Sequence, residues 1–353
     1  MNDRLIILTD SNSNFLISFN GGYYHSMDLS RVKQGFIEYG FQVDIVKFSD
    51  LNFYDNFLNV FILYHTTEDT GQFYKRYIED IIFYLQLKGA IVLPEYKYLK
   101  AHHNKGFMEL LRKTFRNEEL KTIDSYYYGN SDDISPNIYD YPLVVKQVSG
   151  AGSSGVLLAK NRFELTKVLK RISQGYMFEN VLNIPIYFVK NIIKLFFNKI
   201  YPNKHMSNVN KINRPFIVQN FIRNLPGDYK VLYFGGKYYT LYRSNRKNDF
   251  RASGSGIFSD VPDSVIEPLL NFCKLVVNEI DFPIIGMDIG FDGNRFHLIE
   301  FQMIHLGPIT LERSSYYHYY SDSKWCKVQR KSVLEEEFTR SITEFINLTY
   351  HKL

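Results

Sequence analysis

Lys146 lies inside the stretch Tyr141 to Lys160, YPLVVKQVSGAGSSGVLLAK, shortly ahead of a loop built from Gly150, Gly152, Ser153, Ser154 and Gly155. A lysine on a strand beside such a loop can meet a phosphate in two ways. Its ammonium supplies charge, and glycines let successive backbone N–H groups approach closely. The loop spells G-x-G-x-x-G, yet Val156 to Ala159 is a second strand-like run. A dinucleotide fingerprint or a P-loop would open a helix there instead. Three readings stay open at this point: a kinase-like glycine loop, another kind of phosphate lid, or a hairpin that binds nothing.

Asp288 and Glu300 are the second informative set. Each is a carboxylate within an apolar run, IIGMDIGF and RFHLIEFQ, and the two runs are joined by the turn Asp292-Gly293-Asn294. Burying a carboxylate is costly unless a cation or hydrogen bonds compensate it. Period-two alternation puts Gln302 on the face of Glu300, making an oxygen-rich set suited to Mg²⁺. The competing reading is a structural ion pair, for which Arg243 and Arg251 are available.

Other candidates carry weaker signals. Lys105 falls in the first turn of a helix capped by Asn104, where a cation opposes the helix dipole. His102 and His103 are neighbours without the i, i+4 spacing of metal ligands and read as loop residues. Cys273 and Cys326 show no C-x-x-C spacing, so neither a zinc site nor a disulfide framework is expected. No Ser-His-Asp or Cys-His arrangement is legible.

The elements that must position these residues follow from periodicity. Strands at Arg4–Thr9, 41–48, 59–64 and 89–94 alternate with helices at 29–39 and 74–87, predicting a parallel sheet in an N-terminal α/β domain. Beyond the glycine loop, a helix over 162–173 precedes a strand over 215–221. A hairpin over 229–243, a helix over 262–280, the carboxylate hairpin and a closing helix over 334–347 complete the chain. The expected domains are 1–98, 99–214 and 215–353. Within the second, Ile186 to Tyr201 is apolar with Lys190, Lys194 and Lys199 near helical spacing. That segment suits a membrane surface or a partner, although packing on its own domain is the plainer expectation.

With 353 residues, 45% of them hydrophobic, the chain has ample core, and its formal net charge of +5 suits an anionic small ligand without calling for nucleic acid. The N-terminus lacks the flanks of a signal peptide and no uninterrupted apolar span is long enough for a bilayer, so a cytoplasmic location is expected.

The order of parts resembles the ATP-grasp superfamily. The likeness covers roughly Tyr98 to Leu311 and is most specific at LVVKQVSGAGSSGV, PFIVQNFIRNLPGDYKVLYFGGKYYTLYR, NDFRASGSG and GMDIGFDGNRFHLIEFQ. It implies an ATP-grasp fold in which two α+β subdomains clamp ATP behind an N-terminal parallel α/β domain. It assigns Lys105 and Lys146 to ATP phosphates, with Gly152, Ser153, Ser154 and Gly155 closing over them. Gln219, Phe221 and Ile222 would hold adenine, and Asp228 would lie near the ribose and substrate. Arg243 and Arg251 would face the transferred phosphoryl group, and Asp288, Glu300 and Gln302 would ligate Mg²⁺, for which Mn²⁺ could substitute. Two departures stand out: Asn220 follows Gln219 where an acidic residue is common, and Gln302 stands where asparagine is usual. The kinase reading is weaker, since Asp249-Phe250-Arg251 is the nearest match to Asp-Phe-Gly and no His-Arg-Asp loop occurs. The activity implied is ATP-dependent joining of a small-molecule or peptide carboxylate to an amine. A phosphotransferase on the same fold and a non-catalytic membrane-surface binding protein are the alternatives.

Overall fold

Arg4–Thr9 (β1) forms a strand buried along nearly its whole length, as a parallel strand covered on both faces must be. Ile17–Asn20 (β2) and Tyr23–Ser26 (β3) make a short hairpin, and Leu29–Glu38 (α1) follows. Asp28 caps α1 by accepting from the N–H groups of Ser30 and Arg31 at 3.0 and 3.2 Å. Gln42–Lys47 (β4), Phe61–Tyr64 (β5), Phe73–Leu87 (α2) and Ile91–Leu93 (β6) complete a parallel sheet in the order β4-β1-β5-β6. The chain steps from β1 to one side and then to the other, so the carboxyl ends of β1 and β5 flank a switch point. Open parallel sheets bind ligands at such points. Helices Tyr96–Ala101 (α3) and Lys105–Lys113 (α4) follow, the second capped by Asn104, whose Oδ1 accepts from the Phe107 N–H at 3.0 Å.

The computed structural model describes residues 3–20, 22–69, 71–134, 140–150, 155–174, 214–247, 249–251 and 255–351. Contacts gather the chain into two compact units, 124–221 and the larger pairing of 1–123 with 222–353. The segment after residue 98 therefore groups with the larger unit as far as residue 123. In the smaller unit Ser125–Tyr128 (β7), Leu143–Gln147 (β8), Val156–Ala159 (β9) and Phe216–Asn220 (β10) form an antiparallel sheet ordered β7-β10-β8-β9. Leu165, Leu169 and Ile172 of Arg162–Gln174 (α5) pack against Leu143, Val145, Phe216 and Val218 on one face.

The larger unit continues with Gly227–Phe234 (β11), Lys237–Ser244 (β12), Phe258–Ser259 (β13), Asp263–Glu279 (α6), Ile284–Phe291 (β14) and Phe296–Gln302 (β15). Ile309–Arg313 (α7), Tyr317–Ser321 (β16), Lys324–Val328 (β17) and Leu334–Tyr350 (α8) close it. Its antiparallel sheet runs β15-β14-β11-β12-β16-β17, with β13 beside β12. Phe338 of α8 meets Phe15 and Phe36 edge to face at 5.8 and 6.2 Å. At Gly35 a Cβ would lie 2.8 Å from the Thr339 hydroxyl, so α1 and α8 approach at a point that only glycine allows. The parallel sheet and the antiparallel sheet of this unit thereby share one apolar core.

Among the described residues no helix is long and apolar enough to cross a membrane. The basic apolar segment Ile186 to Tyr201 lies outside the described residues.

Candidate functional site

The antiparallel sheet of the larger unit concentrates charge on three neighbouring strands. β11 lies between β12 and β14, with Asp228 opposite Arg243 and Lys230 opposite Asp288. Arg243 donates to Asp228 through Nε at 2.8 Å and Nη2 at 2.5 Å, and the same Nη2 reaches Asp288 Oδ2 at 2.9 Å. Lys230 Nζ donates to Asp288 Oδ1 at 2.8 Å. Two carboxylates and two cations thus balance in a largely buried network, as removal from water demands. Gly227 permits the close pairing of β11 and β12, since a Cβ there would sit 2.3 Å from the Arg243 carbonyl.

The network sets unequal protonation. Burial, with Asp288 close by, pushes the Asp228 carboxyl up to about 6 despite its arginine. Burial would raise Asp288 too, but Lys230 and Arg243 hold it down at about 2. Together the two acids hold the Arg243 guanidinium well above its ordinary value against the effect of burial.

Glu300 stands directly opposite Asp288 across β14 and β15. The register slips between Asp288 and Ile289, leaving Ile299 as an extra residue in β15. Such a bulge re-aims the side chains beside it. Arg112, buried in α4, fixes the distortion by donating through Nη1 to the Leu298 carbonyl and through Nη2 to the Ile299 carbonyl, the latter at 3.0 Å. The Glu300 carboxylate, half-buried, accepts no hydrogen bond from any described residue, and Gln302 likewise makes none. Like charges placed opposite each other across a sheet are unfavourable unless a cation joins them. Asp288 has both oxygens engaged, but a carboxylate keeps further lone pairs, so this pair and the Gln302 carbonyl suit a hard, oxygen-seeking cation.

In the smaller unit Lys146 lies on β8 opposite Val156 of β9 and Ile217 of β10. Leu143 and Val145 face α5, so alternation turns Lys146 to the other face, shared with Gln219 of β10. Gln219 is buried, and its Nε2 has no hydrogen-bond partner among the described residues. The Phe221 N–H donates to the Pro142 carbonyl at 3.3 Å, so it is already occupied. Gly155 adopts φ +75°, a conformation side chains resist, and its N-terminal neighbours Gly152, Ser153 and Ser154 lie outside the described residues.

The structure thus joins Asp228, Arg243, Asp288 and Glu300 through neighbouring strands, and Lys146 with Gln219 on one face. Arg243 is both the structural ion pair that the sequence allowed and a donor with Nη1 committed to no described residue. Arg251 does not join that network. It chelates Asp249 through Nε and Nη2, both at 2.9 Å. Lys105 opens α4, and Ile222 begins the return of the chain to the larger unit. Lys230 and Arg112 were missed. Lys230 announces itself only as a second charge two positions after Asp228 on one strand, and Arg112 as an arginine one turn after Met108 on the buried side of α4.

His102 and His103 lie in the turn between α3 and α4, as their sequence suggests, but they are not idle there. Both turn toward Glu68, whose Oε1 lies 3.6 Å from His102 Nε2 and 3.1 Å from His103 Nε2. His305 Nδ1 reaches the same oxygen at 3.0 Å. Adjacent histidines can share a target because the backbone turns between them, His103 having φ 53°.

No family model and no curated protein matches the sequence. Solved structures do match. An ADP complex of purK, N5-carboxyaminoimidazole ribonucleotide synthetase, superposes with TM-score 0.56 at 8% identity, over 98% of this chain and 78% of that one. N5-carboxyaminoimidazole synthetase from Staphylococcus aureus with ADP gives 0.52 at 10%, over 97% and 78%. The D-cycloserine synthetase DcsG gives 0.50 at 9%, over 96% and 98%. At such identities the likeness is one of fold.

Proposed function

The chain has the ATP-grasp fold, and from that premise we propose that it is an ATP-dependent ligase joining a carboxylate to an amine. The observation that carries the reading is the Asp288 and Glu300 pair, in which two carboxylates face each other across a bulge and Glu300 is hydrogen-bonded by no described residue. Asp288, Glu300 and Gln302 would hold Mg²⁺, or Mn²⁺ in its place. When bound, the ion neutralises charge on the nucleotide phosphates.

The other assignments follow from the resemblance. Lys105 and Lys146 would bind ATP phosphates under the loop ending at Gly155. Gln219, Phe221 and Ile222 would hold the adenine, a role suited to the buried amide of Gln219. Asp228 orients Arg243, whose Nη1 would meet the moving phosphoryl group, with Arg251 as a second cation. In this chemistry a substrate carboxylate oxygen attacks the γ-phosphorus and the bond to the β-phosphate oxygen breaks. ADP departs with that electron pair. The amine then attacks the acyl carbon, phosphate leaves with the former carboxylate oxygen, and the amine gives up a proton. Such catalysis is positioning and electrostatics, and needs no nucleophilic side chain.

The test is an oxygen-label transfer. Carboxylates labelled with ¹⁸O are supplied with amines and Mg²⁺ATP, and the released phosphate is weighed. One label carried into phosphate, together with an amide product, is expected. A stable phosphorylated product formed without any amine would identify a phosphotransferase instead.

A further inference from the structure

We infer that Glu68, His102 and His305 form a binding site for a transition-metal ion, with Zn²⁺ the best match, separate from the Asp288 and Glu300 pair. The three residues come from the segment after β5, the turn before α4 and the segment after β15, all within the larger unit. One donor atom from each lies within 4.8 Å of the other two. Around a tetrahedral ion with bonds of about 2.0–2.1 Å, ligand atoms stand roughly 3.3 Å apart. Glu68 Oε1 is 3.0 Å from His305 Nδ1 and 3.6 Å from His102 Nε2, which brackets that spacing.

Unmet hydrogen bonding is the independent sign. His102 is almost fully buried, and neither of its ring nitrogens has a hydrogen-bond partner among the described residues. His305 Nε2 is likewise buried with no hydrogen-bond partner among the described residues. Leaving buried polar atoms unmet is unfavourable, and a metal ion held by His102 Nε2 would satisfy one of them. Two imidazoles and one carboxylate are the ligand types that Zn²⁺ prefers, and three protein ligands leave a fourth position for water or a substrate oxygen.

The surroundings support the assignment. His103 Nε2 lies 3.1 Å from Glu68 Oε1 and would orient that carboxylate, as partners of metal ligands do. His65, at the carboxyl end of β5, places its ring 5.5 Å from that of His305. The cluster thus sits at the switch point of the parallel sheet, where ligands collect. It requires no nucleotide and stands whether or not the ligase reading holds.

The experiment titrates the chelator-treated full-length protein with Zn²⁺ against a competing indicator, without ATP. One ion per chain is expected. Glu68→Gln and His102→Gln should each weaken binding about 100-fold or more, and His103→Gln about 10- to 100-fold. Exposed His25→Gln should leave affinity unchanged, with circular dichroism confirming that each variant folds. X-ray absorption of the Zn²⁺-loaded wild type should show two imidazoles and one carboxylate at about 2.0–2.2 Å. That measurement stands even if a variant fails to fold. Sub-stoichiometric binding, an all-oxygen shell, or unchanged affinity in the Glu68→Gln and His102→Gln double variant would overturn the site.

Discussion

Asp288 and Glu300 face each other across β14 and β15 with unequal hydrogen bonding: Asp288 is held by Lys230 at 2.8 Å and Arg243 at 2.9 Å, whereas no described residue hydrogen-bonds to Glu300. One acid is hydrogen-bonded by two protein cations, whereas the other is not and feels the charge of Arg112.

Arg243→Ala should destabilise the fold by about 3–5 kcal/mol, because Asp228 and Asp288 would be left buried without their shared cation. Urea unfolding checks this through a lower midpoint at an unchanged slope. A midpoint equal to wild type would show that the network is not the anchor it is taken to be.

Arg112→Met should lower both stability and turnover although Arg112 lies on a different element from the charged network. It leaves the Leu298 and Ile299 carbonyls without their donor, at about 1–3 kcal/mol each. Relaxation of the bulge should move Glu300 away from Asp288. Thermal unfolding and Mg²⁺ATP turnover measured together test the link, which fails if stability drops while turnover stays at the wild-type rate.

His318 provides a pH prediction. Burial, assisted by the charge of Lys327, lowers its pKa from 6.5 to about 4. The unfolded chain takes up this proton near pH 6.5 and the folded chain only near pH 4. The contribution of His318 is therefore complete above about pH 6.5 and is lost as pH falls through about 4. His318→Phe should lose less stability than wild type over that window. Other groups titrate there too, so the difference between the two curves is the quantity to read. Parallel curves would refute the assignment.

Lys146→Ala should weaken nucleotide binding and cut turnover by about 10²- to 10³-fold, the usual consequence of losing one preorganised electrostatic contact. Lys146 lies on the face of β8 away from α5, the face it shares with Gln219. Calorimetric titration with ATP is the check, and wild-type affinity would remove Lys146 from the site.

Much of this arrangement was legible in sequence because local pattern and burial agreed. Arg4–Thr9 and Val156–Ala159 are strands over the spans their apolar runs define, and Asn104 caps α4 as its residue type foretells. Asp288 and Glu300 stood out because carboxylates within apolar runs need a reason. The hidden parts depend on long-range geometry. The donation of Arg112 to the bulge spans 186 residues, and the meeting of His305 with Glu68 spans 237. Neither leaves a periodic trace. The hairpins β2–β3 and β16–β17 were missed because their polar and tyrosine-rich strands do not alternate cleanly.

ADP release from Mg²⁺ATP across a panel of carboxylates and amines, with wild type compared to Glu300→Gln, decides whether the Asp288 and Glu300 pair serves a ligase. Release that requires both substrates, and that falls about 10²- to 10³-fold in Glu300→Gln with melting unchanged, is the predicted result. Equal release from the two proteins, or no nucleotide binding by the wild type, would contradict it.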